Sequence, residues 1–263
     1  MWFCSLFSGS SGNCIYVGDE KTNILVDAGL SGTKIVNSLN EIGISPEKID
    51  ALLITHEHRD HIHGAGILSR MLNIPIYANR NTWDSMYDLI GSVKNENINI
   101  INTGEAFSIG DIDINSYKTP HDAAEPVGYC FYNSNKKISI ATDIGHVSEN
   151  VYENIKDSDL LLLESNHDVE MLKAGPYPYL LKRRILSGTG HLSNDDAGGT
   201  ILKLMGNKFM TIILGHLSRQ NNYPELAYAT VKSILEGNGI DIDKDLKLAL
   251  AYREQASSFF DVR

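Results

Sequence analysis

The stretch Ala51-Leu52-Leu53-Ile54-Thr55-His56-Glu57-His58-Arg59-Asp60-His61 joins a short apolar run to a dense group of potential metal ligands. Its apolar start predicts a buried strand, and the Gly-containing sequence that follows has helical spacing. His56 and His58 lie two apart on extended backbone, so their side chains can point the same way, whereas Asp60 and His61 are adjacent and diverge. This geometry favours two neighbouring metals, bound on a strand-to-helix turn.

Single polar residues also follow other apolar runs of the chain. His121 follows residues 117–120, and Asp143 and His216 directly follow runs that predict strands. Each of these residues alone is typical of an ordinary loop, but together with the 56–61 cluster they complete a two-metal set. Neutral imidazoles and carboxylates suit Zn, Mn or Fe, and the ligand types leave the choice among these metals open.

The two halves of the chain repeat one pattern. Residues 24–29 (ILVDAG) and 51–61 (ALLITHEHRDH) compare with residues 138–145 (ISIATDIG) and 160–168 (LLLLESNHD). We interpret this as a degenerate internal duplication. Strands alternate with helices in both halves, which predicts an α/β protein in which two β/α halves pack sheet to sheet with helices outside. The expected architecture is a four-layer αββα sandwich, formed as a single domain over residues 1–263.

Two helices are predicted beside the strands of the first half. One covers Ser31 to Leu39, with Ser31 as a candidate N-cap. The other covers Ile62 to Leu72, directly after the ligand cluster.

Composition limits the partners that the protein can bind. The chain of 263 residues is 42% hydrophobic and carries a net charge of −10. An acidic protein is poorly suited to sequence-blind binding along a duplex, but a nucleic-acid end held beside divalent metals is compatible with this charge. The dense basic run Lys182-Arg183-Arg184 is interpreted as a solvated helix face.

The N-terminus and the cysteines favour a cytoplasmic protein. The first seven residues lack the basic segment and the long apolar segment of a signal peptide, and no apolar span is long enough to cross a membrane. Cys4, Cys14 and Cys130 form no C-x-x-C pair, so we expect free thiols in a reducing compartment.

The ordered motifs resemble the metallo-β-lactamase superfamily over nearly the whole chain. The resemblance implies that Asp27 holds the ligand loop by hydrogen bonds and binds no metal itself. It implies two divalent metal ions, which lower the pKa of a bridging water that acts as the nucleophile. The implied ligands are His56, His58 and His121 for one metal, Asp60, His61 and His216 for the other, and Asp143 as the bridge, with Asp60 also counted as catalytic.

Within this superfamily the sequence argues against two branches. True β-lactamases usually place a Cys or another residue at the position of Asp143, which disfavours antibiotic hydrolysis. The flavodiiron oxygen reductases have a Glu at the position of His58, which argues against that redox branch.

A second pair of residues resembles the catalytic motifs of ribonuclease Z and related phosphodiesterases. Glu164 lies in LLESN (residues 162–166) and His191 in GHLSNDDA (residues 190–197). In those enzymes the Glu orients the His, and the His protonates the leaving oxygen. A protonated histidine is an effective acid near neutral pH, so Glu164 and His191 are expected to form this catalytic pair.

Five further strings, several of which lie outside the ligand positions, resemble the YycJ/WalJ-type family of bacterial metal-dependent exonucleases. They are SGSSGN (8–13), HDAAEPVGY (121–129), ESNHD (164–168), GHLSN (190–194) and LGHLSRQNN (214–222). The resemblance implies 5′-to-3′ degradation of DNA from its ends. The Gly-rich SGSSGN loop could form an anion nest, and the expected phosphate contacts are Ser10, Ser11, Asn13, Arg219 and Asn222.

Three other functions stay open at this point. A small-molecule hydrolase of thioesters, lactones or cyclic phosphodiesters would keep all seven ligands, but it has no need of the Glu164–His191 pair. An RNA-processing nuclease would use the same chemistry. An idle nucleic-acid-binding subunit is disfavoured by the intact ligand set. His63, His146 and His167 receive no role.

Overall fold

The computed structural model of the protein describes residues 1–206 and 208–262, whose strands form two seven-stranded mixed sheets. The strands are β1 (Trp2–Phe7), β2 (Cys14–Gly18), β3 (Asn23–Val26), β4 (Ala51–Leu53), β5 (Ile76–Asn79), β6 (Ile98–Ile101), β7 (Ala106–Ile109), β8 (Ile112–Lys118), β9 (Val127–Asn133), β10 (Lys136–Ala141), β11 (Leu160–Glu164), β12 (Met210–Gly215), β13 (Leu246–Leu250) and β14 (Phe260–Asp261).

The helices lie in both halves of the chain. They are α1 (Gly32–Glu41), α2 (Arg59–Ile62), α3 (Ala65–Leu72), α4 (Arg80–Ile90), α5 (Glu149–Ile155), α6 (Val169–Ala174), α7 (Tyr179–Ile185), α8 (Asn194–Leu204) and α9 (Pro224–Gly237). Among the residues that the structure describes, no helix is long and apolar enough to cross a membrane.

The two sheets have matching topologies. The first has the order β14-β1-β2-β3-β4-β5-β6 and the second the order β7-β8-β9-β10-β11-β12-β13. In each sheet, read in this order, the first three strand pairings are antiparallel and the last three are parallel. In this arrangement β3 corresponds to β10 and β4 to β11, as the sequence comparison predicts. The two duplicated halves are therefore confirmed.

Strand alternation divides the core into three apolar clusters, one for each boundary between layers. In β4, Ala51 and Leu53 face the cluster between the sheets, while Leu52 faces the cluster under α1, α3 and α4. In β11, Leu160 and Leu162 face the inter-sheet cluster, and Leu161 and Leu163 face α5, α8 and α9. Successive side chains of a strand point to opposite faces, so a strand that is apolar throughout must be covered on both sides. The predicted αββα sandwich is confirmed.

The helix expected over residues 62–72 is wrong in its bounds, since α2 ends at Ile62 and α3 begins at Ala65. Gly64 interrupts it because this residue packs against the backbone of the 28–30 loop: its N–H donates to the carbonyl of Ala28 at 2.7 Å. A Cβ on Gly64 would lie 2.1 Å from the carbonyl oxygen of Leu30. Ser31 does stand at the N-cap of α1, but its side chain makes no capping hydrogen bond.

Candidate dinuclear metal centre

Seven side chains meet at the edge where several parallel and antiparallel strands of both sheets end. They come from the loops after β4, β8, β10 and β12, and they form clusters of ligand atoms within 4.8 Å of one another. One cluster is His56, His58 and His121, another is Asp60, His61 and His216, and Asp143 lies among the histidines of both. The structure thus brings together every ligand position that the sequence predicts.

The first group is built from three imidazoles that converge. His56 Nε2 and His58 Nδ1 are 3.0 Å apart, and the ring of His121 lies 5.1 Å from that of His56 and 5.2 Å from that of His58. His58 occupies the N-cap position of α2 with extended backbone, which points it back toward His56. Three ring nitrogens that lie within 4.8 Å of one another suit a divalent metal ion.

Asp143 lies between the two groups. Its Oδ2 is 3.4 Å from His61 Nε2, and its Oδ1 is 3.4 Å from His216 Nε2 and 3.9 Å from His121 Nε2. Its carboxylate can therefore serve both groups at once. Asp60 is partly exposed at the mouth of the site, with its Oδ2 3.8 Å from His61 Nε2.

The outer nitrogen of four of the histidines is held by a fixed oxygen atom. His61 Nδ1 lies 2.8 Å from Asp27 Oδ2, and His216 Nδ1 lies 2.9 Å from Glu164 Oε1. His56 Nδ1 meets the hydroxyl of Thr55 at 3.0 Å, and His121 Nδ1 meets the carbonyl of Gly190 at 3.1 Å. Such contacts fix the ring orientation and leave the inner nitrogen for a metal.

Asp27 acts on the ligand loop from outside it, as the sequence comparison implies. It accepts hydrogen bonds from the backbone N–H and the hydroxyl of Thr55, in addition to its contact with His61. Its carboxylate is buried beneath the cluster. Asp27 thereby links β3 to the turn after β4.

Three residues of the site adopt left-handed backbone conformations at the ends of strands. Asp27, Asp143 and His216 have φ values of 61°, 55° and 56° and follow β3, β10 and β12. This region is uncommon for residues other than glycine, and such strain concentrates at functional sites. The shared conformation of Asp27 and Asp143 also repeats between the equivalent strands of the two halves.

Buried polar atoms without a partner show that the site fits divalent metal ions. Asp143 Oδ2 and His216 Nε2 make no hydrogen bond within the described part of the chain, although both atoms are buried. A buried polar atom that makes no hydrogen bond costs about 1–3 kcal/mol, and a metal ion held here would remove this cost. Imidazoles and carboxylates together are ligands that suit a divalent ion such as Zn, Mn or Fe.

Burial and neighbouring charges shift the pKa values of the clustered histidines in opposite directions. Burial opposes protonation of His61, but the carboxylates of Asp27, Asp143 and Asp60 outweigh it and raise the pKa of His61 to about 10. For His56, burial and the neighbouring His61 lower the pKa well below its usual value. Burial raises the pKa of Asp143, but His216 and His61 overcome this and hold it well below its usual range. The site therefore stabilises an ionised carboxylate surrounded by imidazoles.

Glu164 and His191 form the pair that the sequence predicts. Glu164 ends β11 and is fully buried, and its Oε1 lies 2.8 Å from His191 Nδ1. Burial would raise the pKa of Glu164, but His191 and His216 outweigh this effect and lower it to about 2. Burial lowers the pKa of His191, and Glu164 reverses the effect and raises it. An ionised Glu164 therefore holds both His191 and His216 through the same oxygen.

A cleft of about 370 Å³ opens over these groups. Its floor includes His58, Asp60, His121, Asp143, His191 and His216, and one wall comes from α7. The cleft thus opens onto the cluster of candidate ligands and onto His191.

The structure places some of the expected phosphate contacts at the cleft or on the exposed surface, and buries others. Ser10 lines the cleft, and Ser11 is exposed on the same turn. Asn13 is buried beneath that turn, where its Oδ1 accepts from the N–H of Gly9 and its Nδ2 lies 3.1 Å from His61 Nε2. Arg219 is exposed, one residue beyond Ser218, which lines the cleft.

Asn222 does not reach the cleft, and this expectation needs correction. It is buried, and its amide donates to the carbonyls of Ser165 and Asn166 and to Asn194 Oδ1. Its donors are used to brace the loop after β11, so no donor remains for a phosphate.

Sequence reasoning gave no role to three residues of the site. Thr55 shares its hydroxyl among Asp27, His56 and His61, and Asn166 donates to the carbonyl of His216 at 2.9 Å. Both lie at strand ends beside a ligand or the catalytic pair, and that position is the signal that could have identified them. Arg184 lines the cleft from α7 and pairs with Asp122, directly after His121.

The chain belongs to the β-lactamase superfamily, since the family described as "Beta-lactamase superfamily domain" matches residues 22–213. Within the superfamily it is 44% identical to exodeoxyribonuclease WalJ of Streptococcus pneumoniae, over 92% of this chain and 91% of that protein. It is 41% identical to exodeoxyribonuclease YycJ of Bacillus anthracis, over 94% and 93% of the two chains. Zn²⁺-bound PqqB of Methylobacterium extorquens has the same fold, with a TM-score of 0.76 at 17% identity over 99% of this chain and 100% of that chain.

Proposed function

We propose that the protein is a metal-dependent exodeoxyribonuclease that degrades DNA from the 5′ end. The observation that carries the proposal is the Glu164–His191 pair, 2.8 Å apart, at the floor of the same cleft as the ligand cluster. Hydrolysis of a DNA phosphodiester expels a strongly basic 3′ oxygen that needs a proton as it leaves, whereas the thiolate of a thioester leaves without one. The similarity to exodeoxyribonucleases WalJ and YycJ over more than nine tenths of the chain supports the choice of DNA.

In this proposal the cluster holds two divalent ions, which are Zn, Mn or Fe. The ligands in this proposal are His56, His58 and His121 for one ion, Asp60, His61 and His216 for the other, and Asp143 for both. When bound, the ions supply a nucleophile at neutral pH and neutralise charge on the phosphate.

The side chains of the protein perform the remaining tasks. His191 Nδ1 is engaged by Glu164, so its Nε2 is the atom that donates a proton to the departing 3′ oxygen. Ionised Glu164 keeps the ring in this orientation and stabilises its charged form. Asp27 and Thr55 hold His61 and His56 in place from outside the cluster.

Phosphate binding in this proposal involves the Ser8–Asn13 turn. Ser10 faces the cleft and Ser11 shares its exposed turn, while Asn13 holds the turn against the ligand cluster. Arg219 supplies positive charge at the rim. A 5′ phosphate bound here would place the first phosphodiester near the metals, which is the arrangement that an exonuclease requires.

We also infer a single domain and a cytoplasmic location. One apolar cluster joins the two sheets across their full inner faces, which supports folding as one unit. The three cysteines are free and buried, as is usual in a reducing compartment.

A substrate panel tests the proposed function. The metal-loaded protein is offered DNA and RNA, single- and double-stranded, together with bis(p-nitrophenyl) phosphate, a thioester and a lactone, each with Mn²⁺, Zn²⁺ or chelator. We expect metal-dependent release of nucleotides from DNA. Turnover of the thioester or lactone without cleavage of phosphodiesters would overturn the proposal, and preference for RNA would assign the protein to RNA processing.

A further inference from the structure

The segment 175–190, which contains α7 and is called the α7 segment below, carries charge opposite to that of the protein. The segment has three basic residues, Lys182-Arg183-Arg184 on α7, and no acidic residue, whereas the whole chain has a net charge of −10. Arg184 pairs with Asp122, which leaves the charges of Lys182 and Arg183. A local positive surface on an acidic protein indicates an anionic partner.

The α7 segment is continuous with the active-site cleft. Tyr177, Leu181, Arg184 and Ile185 line the cleft from its outer wall. Arg184 is tied to Asp122 by two hydrogen bonds, and Asp122 directly follows His121. This ion pair fixes the segment next to the metal-ligand loop.

The outer surface of the α7 segment exposes apolar and basic side chains together. Tyr179 is 72% exposed and Leu180 is 76% exposed. The guanidinium of Arg183 lies 5.9 Å from the ring centre of Tyr179, and among the described residues Arg183 forms no ion pair. Exposed aromatic rings beside unpaired cations are the elements that bind single-stranded nucleic acid, where bases stack on the rings and phosphates meet the cations.

We propose that the α7 segment binds the single-stranded DNA that extends beyond the scissile phosphate. Tyr177 and Tyr179 provide stacking surfaces inside and outside the cleft, and Lys182 and Arg183 contact the backbone phosphates. The Arg184–Asp122 pair sets the distance between this surface and the metals. The inference rests on the proposed function. It predicts an effect on the affinity for long substrates and no effect on the chemical step.

The test is steady-state degradation by the metal-loaded protein of 5′-phosphorylated oligothymidylates three and twenty nucleotides long. We expect the wild-type protein to have a lower KM for the longer substrate. The double variant Tyr179→Ser with Arg183→Gln should lose most of this difference, about tenfold in KM, through the loss of one stacked base and one phosphate contact. The matched control is Arg80→Gln, which changes an exposed arginine of α4 outside the α7 segment and should keep the wild-type ratio of KM values.

Salt dependence separates a phosphate contact from a structural role. Arg183→Gln should reduce the slope of log KM against log salt for the long substrate by about 0.7, while Arg183→Lys should retain it. Unchanged KM ratios and slopes with intact DNA degradation would overturn this inference alone. The variants could instead change the self-association of the protein and leave the KM ratio unchanged. That result would likewise overturn this inference and assign the surface to a protein contact. Absence of DNA degradation by the wild-type protein would overturn the proposed function, and this inference with it.

Discussion

At the scale of single residues, Glu164 connects two tasks of the site. One carboxylate oxygen holds both His191, which lines the cleft, and His216, which belongs to the ligand cluster. The same buried oxygen therefore orients the proposed acid and a proposed metal ligand. Loss of Glu164 should affect both metal binding and proton transfer, whereas loss of His191 should affect proton transfer alone.

His191→Gln should lower kcat for DNA about 10²–10⁴-fold with little change in KM, because the general acid acts in the transition state. The loss should be much smaller for bis(p-nitrophenyl) phosphate, since p-nitrophenolate departs without protonation. Steady-state kinetics on both substrates measure this difference. His63→Gln, at an exposed position after α2, is the control. An equal loss on both substrates would contradict the role of His191 as an acid.

Asp27→Ala should weaken metal binding about 10–100-fold, because supporting hydrogen bonds to metal-ligating histidines contribute this much. Competition with a chromophoric chelator measures the affinity, and circular dichroism verifies folding. Asp111→Ala, which removes only an exposed pair with Lys21, serves as the comparison. Affinity equal to that of the wild-type protein would show that the link from Asp27 to His61 and Thr55 is dispensable.

The convergence of the seven candidate ligands could be predicted from the sequence because each follows an apolar strand or lies in one short motif. Thr55 and Asn166 could not be given roles in the same way. Their partners are fixed by the packing of strands, such as the contact of Thr55 with Asp27 from β3. The burial of Asn222 had no sequence signal either, since an Asn after a ligand loop looks the same whether it faces substrate or protein.

At the scale of elements, the apolar starts of residues 51–61 and 160–168 form β4 and β11 as predicted, while short or interrupted elements could not be predicted. The two-residue strand β14 forms only because β1 offers an edge, and the break between α2 and α3 depends on the packing of Gly64 against a distant loop. Neither contact leaves a periodic signal.

Capping makes unequal contributions to the helices. The side chain of Asn79 accepts a hydrogen bond from the N–H of Thr82 at the start of α4, whereas Ser31 at the start of α1 makes no such bond. Asn79→Ala removes this cap and also the hydrogen bond from Asn79 Nδ2 to the carbonyl of Glu125, so it should lower the free energy of unfolding by about 1 kcal/mol or more. Ser31→Ala should change it by much less. Urea denaturation measures both. Equal losses would contradict this difference.

Asp159 links β10 and β11 through pH-dependent contacts. Burial alone would raise the pKa of Asp159, but hydrogen bonds from Lys208, the N–H of Lys137 and Lys136 outweigh burial and lower it. A folded-state pKa below the unfolded value gives stability that is present near neutral pH and is lost as the pH falls through the folded pKa.

Asp159→Asn should thus destabilise the protein by about 1 kcal/mol at pH 7. The difference from the wild-type protein should shrink as the pH falls below about 4. Denaturation at a series of pH values gives this comparison, with Asp111→Asn as an exposed control. A difference that does not depend on pH would refute the electrostatic explanation.

At the scale of the whole molecule, the duplicated halves explain where the site lies. Equivalent strands of the two sheets end at the same edge, so Asp27 after β3 and Asp143 after β10 occupy matching left-handed positions. The two aspartates nevertheless differ in task, since one supports the ligand loop and the other lies among the ligands. The sequence repeat predicted this architecture, but it could not show which side chains would converge, because that depends on how one sheet packs on the other.

The most direct measurement of the central claim is a time course with single-stranded DNA labelled at either its 5′ or its 3′ end, incubated with the protein and Mn²⁺. We expect 5′-labelled DNA to yield labelled mononucleotide from the first time point. We also expect 3′-labelled DNA to shorten progressively, and chelator or the Asp143→Asn substitution to abolish both reactions. Release of 3′ label first, internal fragments from both labels, or degradation that persists with chelator would contradict the central claim.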